Sequence, residues 1–187
     1  MQPRMSVNEA SLFSAFVRKS SRYLEFGSGG STVVASSTVR DWVISVDSSE
    51  LWLENVRTAC VDNAVVPKLL LKDIGTTREW GYPDDPGTRS RWPDYHASVW
   101  DLPSSMDADL YMVDGRFRVA CFAQIVLHSR PDALIGFHDF DSRPMYHCIR
   151  EISREIAVAE DMSFFQPLPS MRERAAAILE QHRFDPS

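Results

Sequence analysis

The residues of this chain best suited to chemistry fall at five places: EFGSGGST at positions 25–32, Asp47, Asp73, Asp114, and the pair His138 and Asp139. At the first, the apolar run of Tyr23, Leu24 and Phe26 is interrupted by Glu25 and opens into a glycine-serine loop containing Ser28. Gly27, Gly29 and Gly30 let the backbone turn sharply and approach a ligand closely. A helix opening near Thr32 would aim the loop's N–H groups at a nucleotide-like ligand. Asp47 follows Gly29 by 18 residues, close to the roughly 20-residue spacing at which a carboxylate after a second strand accepts hydrogen bonds from a ribose. His138 is read as a general base, because an imidazole titrates near neutral pH. Asp114, His138 and Asp139 are also an alternative ligand set for Mg²⁺, although a hard cation prefers oxygen to an imidazole nitrogen.

These groups need a frame to bring them together. Residues 7–19 place Ala10, Phe13, Phe16 and Val17 at helical spacing, with Ser6 or Asn8 as N-cap. Strands are expected at 22–26, 42–46, 65–71, 109–113 and 133–137. Between them, Ser48 and Ser49 cap a helix with Trp52, Val56, Ala59 and Cys60 on one face, and 117–127 forms an apolar helix. Ser142 is read as the cap of a further helix, with Pro144 in its first turn and Met145, Ile149, Ile152 and Ile156 on one face. Segments 156–159 and 164–168 pair antiparallel, and 172–182 forms a last helix. The alternation predicts an α/β fold in a single domain. It is a doubly wound, Rossmann-like, mostly parallel sheet with a short antiparallel C-terminal strand pair. All five polar clusters then lie at the C-terminal ends of strands, the edge where open α/β sheets bind ligands.

Residues 75–100 break the pattern, with three prolines, three glycines, three tryptophans and two tyrosines but no period. Loops of this length inside a compact domain are mostly functional or disordered, and disordered segments are poor in aromatics. The segment reads as an aromatic-rich insertion forming a lid or substrate wall.

Composition narrows the partners. The net charge is −6 and no Lys/Arg cluster is interleaved with aromatics, so nucleic acid is not expected as the main partner. No run approaches the roughly 20 apolar residues of a membrane span. Cys60, Cys121 and Cys148 are odd in number and widely spaced, which suits reduced thiols rather than a disulfide framework. A cytoplasmic protein acting on a small molecule is the expectation, and the sequence leaves its oligomeric state open.

Asp47 suits NAD and S-adenosylmethionine equally. Thr32 stands where the dinucleotide fingerprint wants Gly or Ala, and Glu25 would attract a cation rather than a pyrophosphate, which favours a sulfonium. EFGSGGST, SVDSS, LKDIG, YMVDGR and LIGFHDF, in that order, resemble the successive motifs of class I S-adenosylmethionine-dependent methyltransferases over roughly residues 20 to 140. VDGR followed by FHDF is similar to small-molecule methyltransferases, including the macrocin-type O-methyltransferases. The resemblance implies that Glu25, Gly27, Ser28 and Gly29 border the methionine moiety. It further implies that Asp47, with Ser48, takes the ribose hydroxyls, that Asp73 approaches the adenine amino group, and that Asp114 lies beside the reacting methyl. Some enzymes of this topology hold Mg²⁺ between strands four and five, though they usually carry a carboxylate where this chain has His138. Arg130-Pro131-Asp132 departs from the Pro-Gly-Gly turn many members carry before the fifth strand. The expected activity is methyl transfer to an oxygen or nitrogen of a small molecule. The rivals are an NAD(P)-dependent oxidoreductase and a non-catalytic cofactor-binding protein of the same fold.

Overall fold

The computed structural model describes residues 1–187. Its frame is a seven-stranded sheet in the order β3-β2-β1-β4-β5-β7-β6. The strands are β1 (Arg22–Phe26), β2 (Trp42–Asp47), β3 (Lys68–Leu71), β4 (Leu110–Val113), β5 (Leu134–Phe137), β6 (Ser153–Ala159) and β7 (Met162–Pro167). The first five run parallel, whereas β7 pairs antiparallel with both β5 and β6. The order steps outward from β1 to β3 and then resumes at β4. This reversal opens a crevice between the ends of β1 and β4, where ligands of such sheets bind.

The central strands are apolar on both faces because helices cover both. Tyr23, Val43, Leu110 and Met112 face α1 (Val7–Val17) and α2 (Gly30–Thr38), whereas Leu24, Ile44, Tyr111 and Ile135 belong to the larger cluster built with α5 (Arg118–His128) and α6 (Arg172–His182). Ser6 caps α1 through a reciprocal capping box with Glu9. Ser49 caps α3 (Glu50–Ala59), whose buried face carries Leu53 and Val56. Trp52 is not on that face. It is half-exposed and donates its indole N–H to the Ser28 carbonyl at 2.6 Å.

Two expected elements change. The helix expected after Ser142 is a 3-10 segment, Pro144–Glu151, that buries Tyr146 and Ile149. Ser142 instead hydrogen-bonds Asp161, and Ile156 belongs to β6, where it points outward. The third strand is shorter than 65–71, beginning only at Lys68 after buried Pro67. Residues 75–100 divide into two parts. The second contains α4 (Asp94–Ala97) and sends Tyr95, Val99 and Trp100 into the main core. The first folds into a turn in which Thr77 bridges Pro83, the Arg78 N–H bonds the Tyr82 carbonyl at 2.9 Å, and Trp80 and Gly81 both have left-handed φ.

Candidate active site

A cavity of about 1120 Å³ lies along the C-terminal ends of β1, β2, β4 and β5. That exceeds the roughly 300–1,000 Å³ of a pocket for one small ligand, which leaves room for two reactants. Gly27, Ser28, Gly29, Asp47, Ser48, Asp114, His138 and Asp139 all line it. Glu25 and Asp73 do not.

Gly27 fixes the centre of the site. Its φ is +101°, and a Cβ there would overlap the backbone of Gly115, just as one on Gly115 would lie 2.8 Å from Gly27 Cα. The glycine loop and the loop after β4 therefore touch backbone to backbone, with the Tyr95 hydroxyl behind them. α2 begins at Gly30, directly after the loop, and residues 2 and 3 lie against that glycine.

Asp47 accepts the Ser28 N–H at 2.9 Å on one oxygen and the Ser49 N–H at 3.0 Å on the other. It thereby ties the glycine loop to the turn after β2, while each oxygen keeps a lone pair for a ligand hydroxyl. Burial raises its pKa, an effect these backbone donors oppose.

Glu25 stands elsewhere than the motif reading put it. Its carboxylate is fully buried behind the loop, accepting hydrogen bonds from Ser31 at 2.7 Å, from Tyr23 and Ser45 at 2.9 Å, and from Thr32. Burial pushes its pKa up to about 7, against the pull of those four hydroxyls. It anchors β2 and the first turn of α2 and does not line the cavity. Asp73 is exposed, accepts the Gly75 N–H at 2.9 Å and pairs with Arg91. The chain turns there to bury Ile74, and Asp73 stays outside the cavity lining.

The ends of β4 and β5 form a compact charge cluster. His138 Nδ1 lies 3.1 Å from Asp114 Oδ1 and 3.7 Å from Asp139 Oδ1, and Nε2 lies 3.6 Å from Glu9 Oε2 on α1. Burial alone would lower the imidazole's pKa, but these carboxylates more than offset it and raise the value to about 9. Burial would likewise raise Asp114, but His138 and Arg118 hold it below its ordinary value. The surrounding carboxylates thus favour the protonated ring, which places His138 as a charge partner of Asp114 and works against the general-base role expected from the sequence.

Arg118, absent from the motif reading, joins both strand ends. Its buried guanidinium donates to the carbonyls of Gly115 at 3.0 Å, Asp114 at 3.2 Å and His138 at 2.5 Å, and pairs with Asp114 at 3.3 Å and Asp139 at 3.1 Å. Arg143 pairs with Asp139 at 2.8 Å. The ligand atoms of Asp114, His138 and Asp139 lie within 4.8 Å of one another. As a Mg²⁺ site the set fits poorly: both carboxylates already face guanidinium groups, and the third member is an imidazole, a poor ligand for a hard cation. A charged residue at the first position of an otherwise apolar helix was the available signal for Arg118.

The sheet order, the glycine turn and the acids at the strand ends are those of the class I S-adenosylmethionine-dependent methyltransferase fold. A methyltransferase-like protein from Silicibacter pomeroyi has a crystal structure similar to this chain at 27% identity, with a TM-score of 0.86, covering 99% of this chain and 98% of that one. An O-methyltransferase from Bacillus cereus, crystallised in complex with S-adenosylhomocysteine, shares the fold at 12% identity and a TM-score of 0.57, covering 88% of this chain and 84% of its own. A putative RNA methyltransferase from Pyrococcus horikoshii does so at 11% identity and 0.54, with the same coverages of 88% and 84%. No protein-family model matches the sequence, and no curated protein does. No helix is long and apolar enough to cross a membrane.

Proposed function

We propose that this chain is an S-adenosylmethionine-dependent methyltransferase acting on an oxygen or nitrogen of a small molecule. The observation that carries this reading is the single cavity that joins the Gly27–Gly115 contact and Asp47 to the Asp114–His138–Asp139 cluster. Gly27, Ser28 and Gly29 would hold the methionine end, and Asp47 with Ser48 the ribose hydroxyls. When bound, S-adenosylmethionine supplies an electrophilic methyl group on a sulfonium. The enzyme's task is then to position the acceptor and remove its proton.

Asp114 keeps its charge at neutral pH and faces the cavity, so it suits a neighbouring cation. Asp139, in a left-handed conformation that Asp tolerates, is turned towards Arg118 and Arg143 and acts as a counter-charge. His138 would serve as base only after releasing the proton it shares with Asp114. The net charge of −6 supports a small acceptor over a nucleic acid.

Calorimetric titration with S-adenosylmethionine, S-adenosylhomocysteine and NAD tests the reading. Binding of the sulfonium and its product is expected, and tight NAD binding with neither of them would overturn it in favour of an oxidoreductase. Asp47→Ala should weaken S-adenosylhomocysteine by about 1–3 kcal/mol, the cost of lost charge-assisted hydrogen bonds.

A further inference from the structure

Arg4, Arg78 and Arg116 all line the same cavity, and none has a carboxylate within 4.0 Å, whereas Arg118 and Arg143 in the same cavity are both paired. Arg116 is the telling member. It is only 7% exposed, yet its guanidinium makes one long hydrogen bond, 3.4 Å to the Pro186 carbonyl, and otherwise stacks 4.1 Å from the centre of the Tyr82 ring. Asp47 and Asp114 act on it through space but form no ion pair with it, and a buried guanidinium that lacks a direct partner keeps its donors open to one that arrives. The turn at residues 77–83 brings the other two towards it. Arg78 lies 5.8 Å from the centre of the same Tyr82 ring, Arg4 lies 4.8 Å from that of Trp80, and Gly81 packs beside both Arg116 and Ser48. The chain as a whole carries a net charge of −6, yet at this mouth three guanidiniums without an ion pair outnumber the one carboxylate of the turn, Glu79. Such a local excess of positive charge draws in anions.

We propose that this mouth is the acceptor subsite and that the acceptor carries a carboxylate or phosphate, held by Arg78 and Arg116 with Arg4 at the rim. The proposal rests on the methyltransferase reading for the word acceptor, but the anion site can be measured without it. A guanidinium fork matches the oxygens of either anion and pairs with them through two parallel hydrogen bonds. Trp80 and Tyr82 supply flat apolar surface beside the charge.

Calorimetry on the 187-residue chain saturated with S-adenosylhomocysteine, using benzoate, phenyl phosphate and phenol as probes, tests this. One or both anions should bind at least about tenfold more tightly than phenol, which offers the same ring without the charge, and their ranking identifies carboxylate or phosphate. Arg78→Ala, on an exposed turn, and Arg116→Gln should each remove most of that preference, while Arg78→Ala leaves S-adenosylhomocysteine affinity within about twofold. Equal binding of phenol and both anions overturns the proposal. So does an Arg116→Gln variant that loses S-adenosylhomocysteine as strongly as it loses the anions, because Arg116 would then hold the cofactor's own carboxylate. A short single-stranded RNA that binds more tightly than the probes and depends on Arg78 would also overturn it, giving the arginines to nucleic acid. If S-adenosylhomocysteine does not bind the wild type, the methyltransferase reading fails, and the same titrations on the protein alone still decide the anion site.

Discussion

At the sheet edge, the groups lining the cavity are pinned from behind. Asp47 is held by two backbone N–H groups, the glycine loop by its contact with Gly115, and the strand-four and strand-five acids by Arg118. Across the cavity, the turn at residues 77–83 is held by backbone bonds at its base and by guanidinium stacking at its tip, and Trp80 remains 63% exposed. Trp80 also holds a left-handed φ of 63°, a conformation a bulky side chain rarely adopts. The first wall presents fixed geometry, which chemistry requires. The second presents an exposed aromatic and cationic surface, which suits selection of an acceptor.

Substitutions that separate the two walls should show this as a gradient of effects. Gly27→Ala places a Cβ into the Gly115 backbone at a positive φ, and a loss of about 3 kcal/mol or more in urea unfolding is expected. A loss under about 1 kcal/mol would mean that the two loops give way. Glu25→Ala removes the acceptor of the Tyr23, Ser31 and Thr32 hydroxyls, while Ser45 keeps Ser28 as a partner, so at roughly 1 kcal/mol for each of the three a loss of about 3 kcal/mol is expected.

Glu25→Gln isolates the charge. With the native pKa raised to about 7 from 4.5, the folded state favours the protonated acid, so stability falls as pH rises through that window. The Gln variant should lack that slope in unfolding measured between about pH 4.5 and 7. His138 titrates in a higher window. Its native pKa of about 9, against 6.5 unfolded, gives stability that is complete below pH 6.5 and lost as pH rises through 9, in total about 3 kcal/mol. His138→Gln should abolish that decline, and an unchanged decline would show that the ring is not charged. Trp80→Ala, on the other wall, should change stability by less than about 0.5 kcal/mol while raising the acceptor's KM several-fold in a methyl-transfer assay. A large loss of stability there would dissolve the contrast between the walls.

The two walls also differ in how far the sequence discloses them. Apolar periodicity locates the strands to within a few residues because most are buried on one or two faces, β3 with its exposed and half-buried residues being the exception, and residues 172–182 match the last helix end to end. Asp47, Asp114 and His138 are legible because a strand end fixes where a side chain must lie. Glu25 is not, because its four hydroxyl partners come from β1, α2 and β2 and only folding assembles them. Arg118 is hidden in the same way: three of its acceptors are backbone carbonyls, which carry no sequence signature. The helix expected after Ser142 fails for a different reason. Ile149, Ile152 and Ile156 mimic a 3.6-residue period, but Ile156 belongs to a strand whose alternation begins at Ser153. In residues 75–100 no period exists to read, because part of the segment packs into the core through single aromatics and the rest lines the cavity as a turn.

The contact between Gly27 and Gly115 makes positions 27 and 115 behave as one position for anyone redesigning this protein. Neither can accept a side chain unless the other loop withdraws, and withdrawal would carry Asp114 away from the glycine loop at the same time. Changes of acceptor should therefore be engineered from residues 77–83, where side chains can be exchanged without disturbing the geometry of the chemical step.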